Sequence, residues 1–160
     1  MKNQLEFYRS FHQHPINQFI HGICIPLIMF TTMNLIQSNK TSLNLEIIIY
    51  NLTDNVYYIN INLFRIIYTI YCIYYLTISF KILVVMSSYL YLISLISSYF
   101  IINYPNWYNL NLYLMAFAWI FQFIGHYIEG NRPALLTSLT QAVFQAPLFT
   151  LEYIFPNLFN

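Results

Sequence analysis

Four histidines stand in this 160-residue chain, and they fall in only two places. His12, His14 and His21 lie in FHQHPINQFIHG near the N-terminus. His126 lies in WIFQFIGHYIEGNRPAL, three residues before Glu129. Imidazole and carboxylate are the usual ligands of iron and zinc. Ionisable side chains kept inside an apolar chain are functional candidates by default. The pattern points to a metal site assembled from the two ends of the chain.

The spacing supports this reading in part. His126 and Glu129 are i, i+3 and share a helix face, with Gln122 one turn earlier. Helical bundles use this carboxylate–histidine spacing for iron. A helix end is the alternative, because Gly125, Gly130 and Pro133 surround the pair and Glu129 has Arg132 within reach. His14 and His21 are seven apart, about 10.5 Å along a continuous helix, so joint ligation would need a break. Pro15 offers one, and His12 can fold back before it. Asn17 and His21 are i, i+4, which suits hydrogen-bonded support of a ligand. The alternative for the histidines is a place at a membrane surface with no ion. Gln141, Gln145 and Glu152 are further polar groups near the C-terminus; they either line the same interior or hydrogen-bond between helices.

Common catalytic signatures are absent: GxSxG, the P-loop, GxGxxG and HExxH. Four histidines are also too few for the histidine-rich sites of membrane di-iron desaturases. Cys24 and Cys72 lie in apolar runs without metal spacing and read as buried thiols.

The elements that must position these groups are hydrophobic. The chain is 59% hydrophobic and 7% charged, where a soluble domain carries roughly 25% charge. Its mean hydropathy is +0.55. A net charge of +1 gives no electrostatic basis for binding nucleic acid. The expected fold is all-α: one integral membrane domain over residues 1–160, a polytopic bundle of four to five transmembrane helices. Residues 1–16 form an interfacial segment with Tyr8, Phe7 and Phe11 at headgroup level, and no signal peptide precedes the first span. Spans are expected near 17–36, 63–80, 82–102 and 110–128, each close to the ~20 residues that cross a bilayer. Lys81 marks a tight turn. A last helix over 135–155 breaks near Pro147. Residues 37–62 read as a loop with an interfacial element. The few positive charges place the N-terminus in the cytosol and the sequons at Asn39 and Asn51 in the lumen.

These residues resemble the endoplasmic-reticulum 2-hydroxy-fatty-acid dioxygenase family. Its pattern is roughly Y-x-x-x-H-x-x-P-x-N-x-x-x-H, then hydrophobic spans, then G-H-x-x-E-x-x-x-P-A. Tyr8, His12, Pro15, Asn17, His21, Gly125, His126, Glu129, Pro133 and Ala134 fit it. The middle, residues 37–108, matches only in hydrophobicity. The resemblance implies a multi-pass protein of the endoplasmic-reticulum membrane. It also implies an Fe(II)-dependent dioxygenase that takes a 2-hydroxy long-chain fatty acid and O₂ and releases CO₂ and an acid one carbon shorter. His12, His21 and His126 are then the metal ligands, with Glu129 a fourth ligand or an acid/base. Asn17 and Gln122 orient them, and Arg132 pairs with the substrate carboxylate. His14 stays outside the ligand set. The other readings are a non-catalytic lipid-binding or scaffolding bundle, and a zinc-dependent lipid hydrolase.

Overall fold

The computed structural model describes residues 9, 10, 12–38, 45–50, 56–131, 133 and 139–156; for 45–61 and 139–141 the description covers backbone only. In order, the elements are α1 (Pro15–Ser38), β1 (Leu45–Tyr50), β2 (Val56–Ile61), α2 (Leu63–Leu76), α3 (Phe80–Asn103), α4 (Trp107–Glu129) and α5 (Leu139–Ile154). The expected helical bundle is present. The surface segment over residues 1–8, both sequons, Lys40, Arg132 and Ala134 lie outside the described residues.

Local chemistry sets the helix ends. Pro15 opens α1, where its fixed φ fits and no N–H is needed. His14 caps that end, its Nδ1 accepting from the Ile16 N–H at 3.2 Å. Asn62 caps α2 by accepting from the Arg65 N–H at 2.9 Å, and Ser79 caps α3 by accepting from the Ile82 N–H at 3.1 Å. Gly130 closes α4 in the left-handed region with φ 77°, its N–H donating to the His126 carbonyl.

Three expectations need correction. Residues 45–50 and 56–61 pair as antiparallel strands in the register Leu45↔Ile61 to Tyr50↔Val56, where a loop with an interfacial element was expected. Their high content of β-branched and aromatic residues favours extended pairing. The turn between α2 and α3 is Thr77–Ser79, and Lys81 already belongs to α3. Pro147 does not break α5. A proline leaves the carbonyl four residues earlier without its helical partner. That carbonyl is Val143 O, and Tyr71 of α2 donates its hydroxyl to it at 3.0 Å. The neighbouring helix supplies the missing bond, as in membrane bundles.

Among the described residues, α1 and α3 are long and apolar enough to cross a membrane, at 24 residues each. The expectation of four to five spans thus reduces to two helices that meet this test. With 14 residues, α2 covers about 21 Å, short of a ~30 Å hydrocarbon core. The outer faces are apolar: Ile70, Ile73, Leu95, Ile96, Ile120 and Phe123 are all exposed.

Inside, α1 packs most extensively against α4 and then α3. Asn34 Nδ2 donates to Asn111 Oδ1 at 2.8 Å, and Asn111 Nδ2 donates to the Thr31 carbonyl at 3.1 Å. Asn34 and Asn111 are wholly buried. Gln37 joins α1 to α3, donating to the Ser94 carbonyl at 3.2 Å and accepting from Ser98 Oγ at 2.8 Å. An apolar cluster of Tyr75, Met86, Leu90, Leu148 and Leu151 locks α2, α3 and α5 together. Buried polar pairs in such a bundle are worth ~1 kcal/mol each. Asn111→Ala should therefore lower unfolding free energy by ~1–2 kcal/mol, since it also leaves the Asn34 amide unpaired. Denaturant titration in mixed micelles measures this; an unchanged midpoint would show that the pair does not hold α1 to α4.

Candidate metal centre

Three elements deliver three imidazoles to one point. His21 lies in the second turn of α1, and His126 in the last turn of α4. His12 comes from the strap before Pro15. The ring centroids of His12 and His21 are 4.3 Å apart, those of His21 and His126 4.8 Å, and those of His12 and His126 5.0 Å. One ring nitrogen from each lies within 4.8 Å of the others. All three are buried, and Phe149 of α5 lies against His12 at 5.3 Å between ring centres.

The antiparallel seam between α1 and α4 explains the meeting of His21 and His126. Asn34 meets Asn111 at one end of the seam. Thirteen residues back along α1 and fifteen forward along α4, the two histidines face each other. Gly125 lets the helices approach closely there, since a Cβ at that position would overlap Asn17 Oδ1.

Asn17 is the hub of the supporting contacts. Its carbonyl lies 3.0 Å from His21 Nδ1. A carbonyl only accepts, so Nδ1 carries the proton and Nε2 keeps the lone pair for a ligand role. The Asn17 side-chain amide donates to Glu129 Oε2. Glu129 Oε1 accepts from the Gln13 N–H and, at 3.4 Å, from the His14 N–H. Gln18 Nε2 donates to the His12 carbonyl at 2.8 Å. Together these bonds fold the strap back so that His12 returns over His21.

The expected site residues therefore divide. His12, His21 and His126 come together. Glu129 turns its carboxylate to the strap and to Asn17, and the metal-capable group among the described residues contains histidines only. Asn17 supports the cluster as expected. Gln122, one turn from His126, is buried and lines the adjoining cavity; its Nε2 has no hydrogen-bond partner among the described residues. Gln145 of α5 hydrogen-bonds the Tyr74 hydroxyl of α2, a link between helices. Glu152 pairs with Arg9. Sequence spacing carried no signal for the Arg9–Glu152 pair, for the Phe149 floor or for the His14 cap.

The cluster stands between two spaces. On one side is a mostly apolar cavity of about 380 Å³ that His21 and His126 line. It continues along α1 past Ile25, Ile28 and Thr32 to Ile36, and Trp119 closes it from α4. On the other side is an open cleft that mixes the polar groups of His12, Arg9, Gln13, Gln18 and Glu152 with the apolar surface of Phe149, Tyr153 and Pro156. The donor set fits a divalent transition metal: three buried imidazoles, with His126 Nδ1 lacking a hydrogen-bond partner among the described residues. Three protein ligands leave coordination positions open, as a catalytic site requires.

If Asn17 and Glu129 together hold the ligands, Asn17→Asp should lower metal affinity by ~10-fold or more, since two carboxylates would then oppose each other. Asn17→Asp combined with Glu129→Gln reverses donor and acceptor and should recover most of the loss. Metal titration of the two variants decides this; a double variant as weak as the single one would break the link.

Residues 1–158 match the family described as 2-hydroxy-palmitic acid dioxygenase Mpo1-like. The chain is 27% identical over 157 residues to the 2-hydroxy-palmitic acid dioxygenase MPO1 of Saccharomyces cerevisiae, covering 97% of this chain and 80% of that protein. No solved structure matches. The chain belongs to the 2-hydroxy-palmitic acid dioxygenase Mpo1-like family.

Proposed function

We propose that this protein is an Fe(II)-dependent dioxygenase of the endoplasmic-reticulum membrane. It converts a 2-hydroxy long-chain fatty acid to the acid one carbon shorter and CO₂. The observation that carries this reading is the three-histidine cluster at the mouth of an apolar cavity, in a chain of this family.

The overall reaction balances with O₂ alone. RCH(OH)COOH and O₂ give RCOOH, CO₂ and H₂O. The hydroxyl-bearing carbon and the lost carboxyl carbon together give up the four electrons that O₂ accepts, so no external reductant is required. Fe(II) held by His12, His21 and His126 would supply chelation of the hydroxy acid and the site of O₂ reduction.

The chain's own groups do the rest. His21 is held in one tautomer by the Asn17 carbonyl, so its lone pair is set before substrate arrives. Glu129 acts by holding the strap in place, and Arg132 pairs with the substrate carboxylate. The acyl chain enters the apolar cavity, and its burial excludes water around the reacting carbons. Gln122 faces the same cavity with a free amide N–H among the described residues and is placed to donate to the substrate hydroxyl. With α1 and α3 in the bilayer, substrate reaches the cavity without crossing bulk water.

Fe(II)-loaded protein should consume O₂ with 2-hydroxypalmitate, releasing one CO₂ per O₂, and should leave palmitate untouched. The oxygen electrode and CO₂ capture read this directly. Turnover of a lipid ester by zinc-loaded protein without O₂ would instead establish a hydrolase. His21→Ala should abolish the O₂ uptake; retained uptake would remove the cluster from the site.

A further inference from the structure

We propose that the cavity is a length gauge for the acyl chain, with Ile36 and Phe64 as the residues that set the accepted length. The proposal rests on the dioxygenase reading for its substrate and deepens it.

The cavity wall on α1 recurs at His21, Ile25, Ile28, Thr32 and Ile36, the three-to-four spacing of one helix face. From His21 to Ile36 the helix rises about 22 Å. An extended hydrocarbon advances about 1.3 Å per carbon from tetrahedral C–C geometry. The wall thus matches about 16–17 carbons measured from the histidines.

The remote end is built by two helices. Tyr68 of α2 donates its hydroxyl to the Ser87 carbonyl of α3 at 3.3 Å. Gln37 of α1 meets α3 about two to three turns further on, at Ser94 and Ser98. As α2 and α3 run antiparallel through a tight turn, Phe64, one turn before Tyr68, lies toward the same end of the bundle as Ile36. Both side chains line the cavity. A chain longer than the wall meets the Ile36 and Phe64 side chains, and a shorter one leaves apolar surface there unfilled. Each methylene displaced from such a wall costs about fourfold in binding, so two cost about tenfold or more.

The test uses full-length iron-loaded protein and a series of saturated 2-hydroxy acids from laurate to arachidate length. In Ile36→Phe, the ratio of kcat/KM for 2-hydroxypalmitate to that for 2-hydroxylaurate should fall about tenfold. Phe64→Ala should move the optimum to longer chains. Binding gives a second readout that does not need turnover. Trp119 lines the cavity, so in a Trp107→Phe background its quenching by chain-brominated fatty acids reports occupancy, and the same variants should shift the length that quenches best. An unchanged length profile in both variants, with wild-type turnover intact, would overturn the gauge and leave the dioxygenase reading standing. Length-dependent quenching that shifts in the variants, without turnover of any 2-hydroxy acid, would keep the gauge and overturn the reaction. Absence of Trp119 quenching by every acid would overturn the gauge.

Discussion

The close antiparallel seam of α1 and α4 is the constraint on which the site depends. It is fixed at one end by the Asn34–Asn111–Thr31 bonds and at the other by the fit of Asn17 against Gly125. Between these points the helices have no freedom to slip by a turn without breaking buried polar bonds. His21 and His126 therefore meet because the seam is in register. His12 joins them because Glu129, at the end of α4, captures the strap before α1. The same carboxylate holds Asn17, whose carbonyl orients His21. One seam thus places all three imidazoles and sets the tautomer of one.

The surroundings of the cluster are as asymmetric as the proposed substrate. A 2-hydroxy fatty acid has a polar head that needs a charged, hydrogen-bonding environment and a tail that water rejects. The apolar cavity lies on the side of His21 and His126, and the open cleft with Arg9 and Glu152 lies on the side of His12. The three histidines are buried, and the exposed apolar faces of α3 and α4 suit a hydrocarbon surround. Helices with apolar outer faces thus also enclose an apolar space within.

Much of this was legible in the residues. Histidines in a chain with so few charges, together with Pro15 between His12 and His21, already pointed to a strap that folds back and gathers imidazoles from the two ends of the chain. The long apolar runs implied helices, and the polar face of Gln122 and His126 implied an inward-turned end of α4. What was not legible depended on partners far away in the chain. Glu129 reads as a fourth ligand or an acid/base from its i, i+3 spacing to His126; spacing does not reveal that its Oε1 accepts from the Gln13 and His14 N–H groups and its Oε2 from the Asn17 amide. Pro147 looks like a helix breaker until Tyr71, on another helix, satisfies Val143. The strand pair of residues 45–50 and 56–61 showed weak alternation, but the strands carry too few polar positions for a two-residue period to stand out.

The central claim is that one iron is held by His12, His21 and His126. Iron K-edge X-ray absorption on Fe(II)-loaded protein, wild type beside His12→Ala, tests it most directly. The account predicts imidazole scattering from three nitrogens at about 2.1 Å in the wild type and a reduced imidazole contribution in the variant. An iron shell of oxygen ligands without imidazole scattering, or one unchanged by the substitution, would contradict it.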